Sequence, residues 1–200
     1  VPSPAYPVYA IATTFAGGTP YEMPLLKENN FLPDLSAIPE DVLAKAKMMF
    51  LNYPNNPTAA LATLDFFKIV VDFAVKHNIM ICHDFAYSEM AFDGYVPPSF
   101  LETPGAKDVG IEFHSLSKTY NMTGWRIGWV TASKELLRPL EKIQQHSITC
   151  VTSFVQKAGL AALKGPQEPV HEMISTFRKR RDVIVKELNA IDGISINVPK

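Results

Sequence analysis

The chain has 200 residues, 47% hydrophobic and 20% charged, enough apolar surface for one globular domain with a buried core. A net charge of −1 gives no electrostatic footprint for nucleic acid, and no apolar run is long enough to span a bilayer, so a small-molecule partner is expected. Cys82 and Cys150 stand far apart and outside any metal-ligand spacing, which predicts a reduced, cytoplasmic protein with no metal site.

Val1-Pro2-Ser3-Pro4 enters as though in mid-loop without an initiator methionine, so the chain reads as a piece of a longer protein. Pro7 to Phe15 predicts a helix closed by Gly17-Gly18, and Tyr21 to Leu25 a short edge strand in which Pro24 is tolerated. A short helix follows from Pro39 to Ala46, then a buried strand from Met48 to Leu51. Thr63 to His77 carries a wide apolar helical face that includes Phe66, Phe67, Val70, Val71 and Ala74. Ile79 to Cys82, Val109 to Phe113 and Ile127 to Thr131 predict three further strands. Helices are expected at Lys134 to Gln145, at Thr152 to Leu163 and from Pro166 to Ile191. The last has Val170, Ile174, Phe177, Ile184 and Leu188 on one side. Ile194 to Lys200 begins an alternating strand pattern that stops before pairing is evident. Short apolar strands separated by amphipathic helices define an α/β fold with a mostly parallel sheet flanked by helices.

Three polar clusters follow three of these strands: Asn52-Tyr53-Pro54-Asn55-Asn56-Pro57-Thr58, His83-Asp84-Phe85-Ala86-Tyr87 and His114-Ser115-Leu116-Ser117-Lys118. In an open parallel sheet ligands bind at the carboxyl ends of the strands, so Asn56, Asp84, Tyr87, Ser115 and Lys118 should converge on one crevice. An acid, an amide, a phenol, a lysine and Arg126 around one crevice match the needs of pyridoxal 5′-phosphate. Lys118 forms the Schiff base and then moves the substrate proton, and Asp84 pairs with the pyridinium nitrogen. Asn56 and Tyr87 hydrogen-bond the ring oxygen, while Ser115 and Arg126 hold the phosphate, the guanidinium by a bidentate pair.

At Asn56-Pro57-Thr58, Asp84-x-x-Tyr87, Ser115-x-Ser117-Lys118 and Arg126 the chain resembles the pyridoxal-phosphate aminotransferases of the aspartate aminotransferase superfamily, fold type I. These motifs span most of the middle of the chain in the family's order. The resemblance adds Ser117 to the cofactor-binding residues and implies that Tyr6 stacks on the cofactor ring. In texture, the runs from Asn52 to Thr58, Phe92 to Tyr95 and Ser117 to Arg126 look closest to LL-diaminopimelate, alanine or aspartate aminotransferases. It further implies that residues 1–200 are one cofactor-binding large domain, truncated at both ends, with the small domain largely absent. The phosphate-binding glycine loop would precede Val1 and the carboxylate-gripping arginine would follow Lys200, so the isolated piece is expected to be a poor catalyst. The implied partners are an amino acid and a 2-oxo acid, with a homodimer for the full-length protein. One departure stands out: Ala59 occupies a place where the family usually has glycine, and strain follows if that backbone needs positive φ.

Other motifs carry less. Arg178-Lys179-Arg180-Arg181 reads as a solvated helix face balanced by Glu172, Asp182 and Glu187. His83 and His114 lack partners at metal spacing and are expected to pack or hydrogen-bond near the strand ends. Gly124-Trp125-Arg126-Ile127-Gly128 lacks the remaining features of a nucleotide loop, and Asn121-Met122-Thr123 is a sequon that a cytoplasmic protein does not use. A second class of function keeps the same fold and lysine: the effector domain of a transcriptional regulator, which senses ligand without turnover. No basic recognition element occurs in the chain, which favours the enzyme.

Overall fold

The computed structural model describes residues 1–200. Its centre is a four-stranded sheet of β3 (Met48–Asn52), β4 (Met80–Asp84), β5 (Gly110–Ser115) and β6 (Gly128–Thr131), in that spatial order. The first three strands are parallel and β6 is antiparallel to β5. Pro2–Ser3 (β1) pairs in parallel with Met23–Pro24 (β2), so the expected edge strand is shorter than its pattern and the opening residues are its partner.

Helix α1 (Val8–Phe15) ends at Gly17, whose φ of 77° reverses the chain. The short helix α2 spans only Glu40–Leu43, less than the Pro39 to Ala46 pattern. Helix α3 (Leu64–His77) is specified at both ends. Thr63 caps it by accepting from the Phe66 N–H, and Asn78 closes it in the left-handed region. Its buried face of Phe66, Phe67, Val70, Val71 and Ala74 packs with Leu51, Ile81 and Phe100 into the main core. Each large side chain there contributes about 1.5–3 kcal/mol of burial.

A one-turn α4 (Ala106–Val109) leads into β5, and a one-turn α5 (Leu116–Thr119) leaves it. Gly128 lets β6 pass close to β5, because a Cβ there would lie 2.4 Å from the His114 carbonyl oxygen. The chain continues through α6 (Lys134–Ser147), α7 (Ser153–Lys164) and α8 (Glu168–Asn189). Val170 is the only fully buried residue of α8; of the apolar stripe read along that helix, Ile174 and Leu188 are partly buried and Phe177 and Ile184 exposed. No helix is long and apolar enough to cross a membrane.

Two local expectations are corrected. Residues 194–200 form no strand: Asn189 bonds Ile196 through both its amide groups, and Arg181 donates to the Pro199 carbonyl. Arg181 is also no solvated charge. Its side chain is 9% exposed, it holds the Asp93 carboxylate through two nitrogens at 2.7 and 3.2 Å, and its guanidinium lies 4.8 Å from the Phe92 ring centroid.

Behind the ends of β4 and β5 lies a buried polar knot. Glu112 is 1% exposed, and its carboxylate accepts from His83 Nδ1 and His114 Nε2 at 3.0 Å each, from the Ser99 hydroxyl at 2.7 Å and from the Phe100 N–H at 2.8 Å. A carboxylate has about four lone-pair positions, so these donors saturate it. His114 stacks on Trp129 at 4.7 Å, and the expectation that both histidines hydrogen-bond near the strand ends is met. Burial pushes the Glu112 carboxyl up, but the His114 and His83 hydrogen bonds, the pull of His83 and the Ser99 hydrogen bond outweigh it and lower its pKa from 4.5 to about 2. A carboxyl depressed on folding stabilises the native state above its unfolded value and loses that contribution as pH falls through the folded one. The wild-type chain should therefore lose on the order of 3 kcal/mol between about pH 4.5 and pH 2 that Glu112→Gln does not lose. Urea unfolding across that window checks this, and parallel pH profiles for the two chains would contradict it.

Candidate active site

The strand register sets the site. Asn52, Asp84 and Phe113 are level neighbours across β3, β4 and β5, with Phe50, Cys82 and Ile111 one pleat behind. Side chains two residues apart share a face. Phe50, Asn52, Cys82, Asp84, Phe113 and Ser115 accordingly line one cavity, while His83 and Glu112 point to the opposite face. The cavity measures about 470 Å³, within the roughly 300–1,000 Å³ typical of small-molecule sites.

All the site residues read from the sequence reach this cavity: Tyr6, Asn56, Asp84, Tyr87, Ser115, Ser117, Lys118 and Arg126. Asp84 and Ser115 are the last residues of their strands rather than loop residues beyond them. Lys118 sits in the single turn α5, which starts where the Ser115 hydroxyl accepts from the Ser117 N–H at 3.1 Å. Its Nζ lies 5.8 Å from the Tyr87 ring centroid. Arg126 occupies the left-handed region at φ 53° and donates to the Thr123 carbonyl at 2.9 Å, so backbone and side chain together aim it. Tyr6 is half exposed and meets Tyr9 edge to face at 6.1 Å.

Two residues of the site were missed. Tyr9 is buried, stacks on Phe50 at 5.1 Å and donates to Asp84 Oδ2 at 2.7 Å. Burial, then the Asp84 charge and the hydrogen bond to it, push the Tyr9 phenol well above the usual range, so it remains a donor. The Ala86 N–H takes Asp84 Oδ1 at 3.2 Å. Each carboxylate oxygen keeps one further accepting position. The sequence signal for Tyr9 is an aromatic three residues after Tyr6, and spacing alone does not tell which of the two meets the carboxylate. The second is Asn52, whose amide nitrogen donates to the Asp84 carbonyl at 2.8 Å while its oxygen accepts from the Asn56 N–H at 2.8 Å. One amide thus ties the Asn56 loop to the end of β4. Burial raises the Tyr87 phenol, as do Asp84 and Tyr6, against an opposing hydrogen bond from Asn56. Cys82, on the cavity floor, has its thiol pushed up to about 12 by burial and stays protonated.

The donor set suits an anionic aromatic aldehyde. Arg126 and Ser115 present a cation and a hydroxyl for a phosphate, Asp84 retains acceptor capacity for a ring N–H, and Lys118 supplies an amine. Fold and site together define an open α/β domain with a lysine at the carboxyl edge of its parallel strands. Comparison with known proteins agrees: the family model for aminotransferase class I and II matches residues 1–200, and the chain belongs to that family.

LL-diaminopimelate aminotransferase of Dehalococcoides mccartyi is 52% identical over 200 residues, covering all of this chain and 51% of the relative. The protein of that name from Desulforudis audaxviator is 54% identical over 189 residues, 94% of this chain and 48% of the relative. Among solved structures, substrate-bound BacF from Bacillus subtilis superposes with a TM-score of 0.95 at 41% identity, over all of this chain and 50% of that one. Aspartate aminotransferase from Thermotoga maritima gives 0.90 at 29% identity, over 99% of this chain and 52% of that one. The chain thus spans about half the length of the curated relatives it matches.

The suspected strain at Ala59 is real. Its φ is 58°, held by its own N–H to the Asn55 carbonyl at 2.9 Å and by the Asn55 N–H to the Ala60 carbonyl at 2.9 Å. A non-glycine residue in that region costs about 1–2 kcal/mol, partly offset by alanine's lower unfolded-state entropy of about 0.4–1 kcal/mol. Ala59→Gly should raise stability by about 0.5–1 kcal/mol in urea unfolding, and a variant no more stable than the parent would show the loop is relaxed with alanine.

Proposed function

We propose that this chain is the cofactor-binding large domain of an aminotransferase that moves an amino group from an amino acid to a 2-oxo acid with pyridoxal phosphate. The observation that carries the reading is the meeting of Lys118, Asp84, Asn56, Tyr87, Ser115 and Arg126 around one cavity at the strand ends. When bound, the cofactor supplies an aldehyde that condenses with amino groups and a ring that accepts electron density from the substrate carbon.

The chain's own residues do the rest. Asp84, held on one oxygen by Tyr9 and on the other by the Ala86 N–H, keeps a proton on the ring nitrogen. Asn56 and Tyr87 hold the ring oxygen, with Asn56 set by Asn52. Arg126, Ser115 and Ser117 would hold the phosphate, and Tyr6 would lie against the ring. Lys118 would supply the amine that holds the cofactor's aldehyde through Nζ, and the same amine is the group placed to take and return a proton at the substrate carbon.

The names of the relatives matched over the whole chain support LL-diaminopimelate as amino donor. They support the enzyme over a ligand-sensing effector domain. The substrate part fails if the whole protein prefers alanine or aspartate to LL-diaminopimelate. The same reading makes the whole protein a cytoplasmic homodimer, which fits side chains such as Phe15, Phe154 and Val96 that this chain leaves largely exposed. Sedimentation as a monomer would remove that part.

Titration with pyridoxal phosphate tests the cofactor. The wild-type chain is expected to develop a visible absorbance band that Lys118→Ala does not. A chain that stays colourless, or an unchanged band in the variant, would contradict the reading.

A further inference from the structure

The lysine stands on weak local structure. Helix α5 is a single turn of four residues, far below the length of about 12–15 at which an isolated helix becomes even marginally stable. Something outside it must hold the turn. Leu116 and Thr119 are buried beneath it, and α7 comes so close that a Cβ at Gly159 would lie 2.7 Å from Ile127 Cδ1 and 3.4 Å from Leu116 Cδ2. Past the turn, the Tyr120 hydroxyl donates to Gln167 Oε1 at 3.0 Å. The Gln167 amide nitrogen donates in turn to the Ala162 carbonyl at 3.0 Å and the Gly165 carbonyl at 2.7 Å, where α7 gives way to α8. With both amide protons committed to carbonyls, the amide oxygen is fixed as the acceptor that faces Tyr120. Neither Tyr120 nor Gln167 lines the cavity.

We propose that Tyr120 and Gln167 are positioning residues for Lys118: their hydrogen bond ties the lysine turn to the α7–α8 junction and sets where Nζ meets an incoming aldehyde. The inference rests on the pyridoxal-phosphate reading above. In the step that it serves, the uncharged Nζ adds to the aldehyde carbon, a carbon–nitrogen double bond forms, and the carbonyl oxygen leaves with the two amine protons as water. Both residues lie outside the cavity lining, and of the residues assigned to the phosphate and ring only Ser117 shares the lysine turn, so the tie acts chiefly on covalent capture.

The test compares the wild-type chain with Tyr120→Phe, Gln167→Ala and the double variant, using two probes. Pyridoxal phosphate has the aldehyde that Lys118 captures, whereas pyridoxamine phosphate fills the same space and offers no such carbon. Tyr120→Phe is expected to bind pyridoxal phosphate about fivefold more weakly, the worth of the one hydrogen bond it removes, and pyridoxamine phosphate within about twofold of wild type. Gln167→Ala, which also frees the Ala162 and Gly165 carbonyls, is expected to bind pyridoxal phosphate at least as weakly. The double variant is expected to match Gln167→Ala, because the Tyr120 hydroxyl has no partner left to lose once Gln167 is gone. Equal weakening of both probes would mean a structural role only, and an unchanged pyridoxal phosphate affinity or an additive double variant would likewise overturn the proposal. If Gln167→Ala does not fold, Tyr120→Phe, which removes one hydroxyl, decides alone. A wild-type chain that binds neither probe would instead remove the cofactor reading and this inference with it.

Discussion

Glu112 is a charged side chain without access to water, and such a charge persists only where donors replace its lost hydration. The donors come from three places: His83 on β4, His114 on β5, and the Ser99–Phe100 turn. Satisfying one carboxylate therefore sets β4, β5 and that turn against each other. The next residues along the two strands are Asp84 and Ser115, which face the other side of the sheet and enter the cavity. The polar knot on the core face thus determines the spacing of the polar groups on the ligand face. Asn52 does the same between β3 and β4, with one amide fixing both the Asp84 carbonyl and the Asn56 N–H.

Much of this was legible in the residues because the governing rule is local. Short apolar runs that end in polar clusters mark strand ends, and the register of a parallel sheet brings such ends together without knowledge of the side-chain contacts. Helix α3 was legible for a similar reason, since cap and apolar period agree at Thr63 and along Phe66 to Ala74. What escaped needed pairs remote in sequence. Tyr9 and Asp84 are 75 residues apart, Arg181 and Asp93 are 88 apart, and no spacing rule connects them. The strand expected after Ile194 failed for a different reason. Alternation supplies a face but not a partner strand, and here the Ile196 backbone bonds the Asn189 side chain and the Pro199 carbonyl bonds Arg181 instead.

The long helix α8 has a particular place in this scheme. With only Val170 buried, it depends on polar attachments as well as packing. Gln167, at its start, reaches the residue that ends the lysine turn, and Arg181, further along, grips the loop that follows Tyr87. Both sides of the cavity are thereby referred to one rigid element. The left-handed conformations at Ala59 and Arg126 also fall in segments that border the cavity, where tight turns bring backbone and side chains to the ligand side.

Of the chain's lysines, Lys118 is the one that lines the cavity, where it is proposed to hold an aldehyde. After incubation with pyridoxal phosphate, reduction with borohydride fixes the cofactor to whichever amine held it, and peptide mapping identifies that residue. Lys118 is expected to carry the modification at substoichiometric cofactor, with the exposed Lys45, Lys68 and Lys186 essentially free of it. Modification spread evenly over the surface lysines, or absent from Lys118, would contradict the assignment of the site.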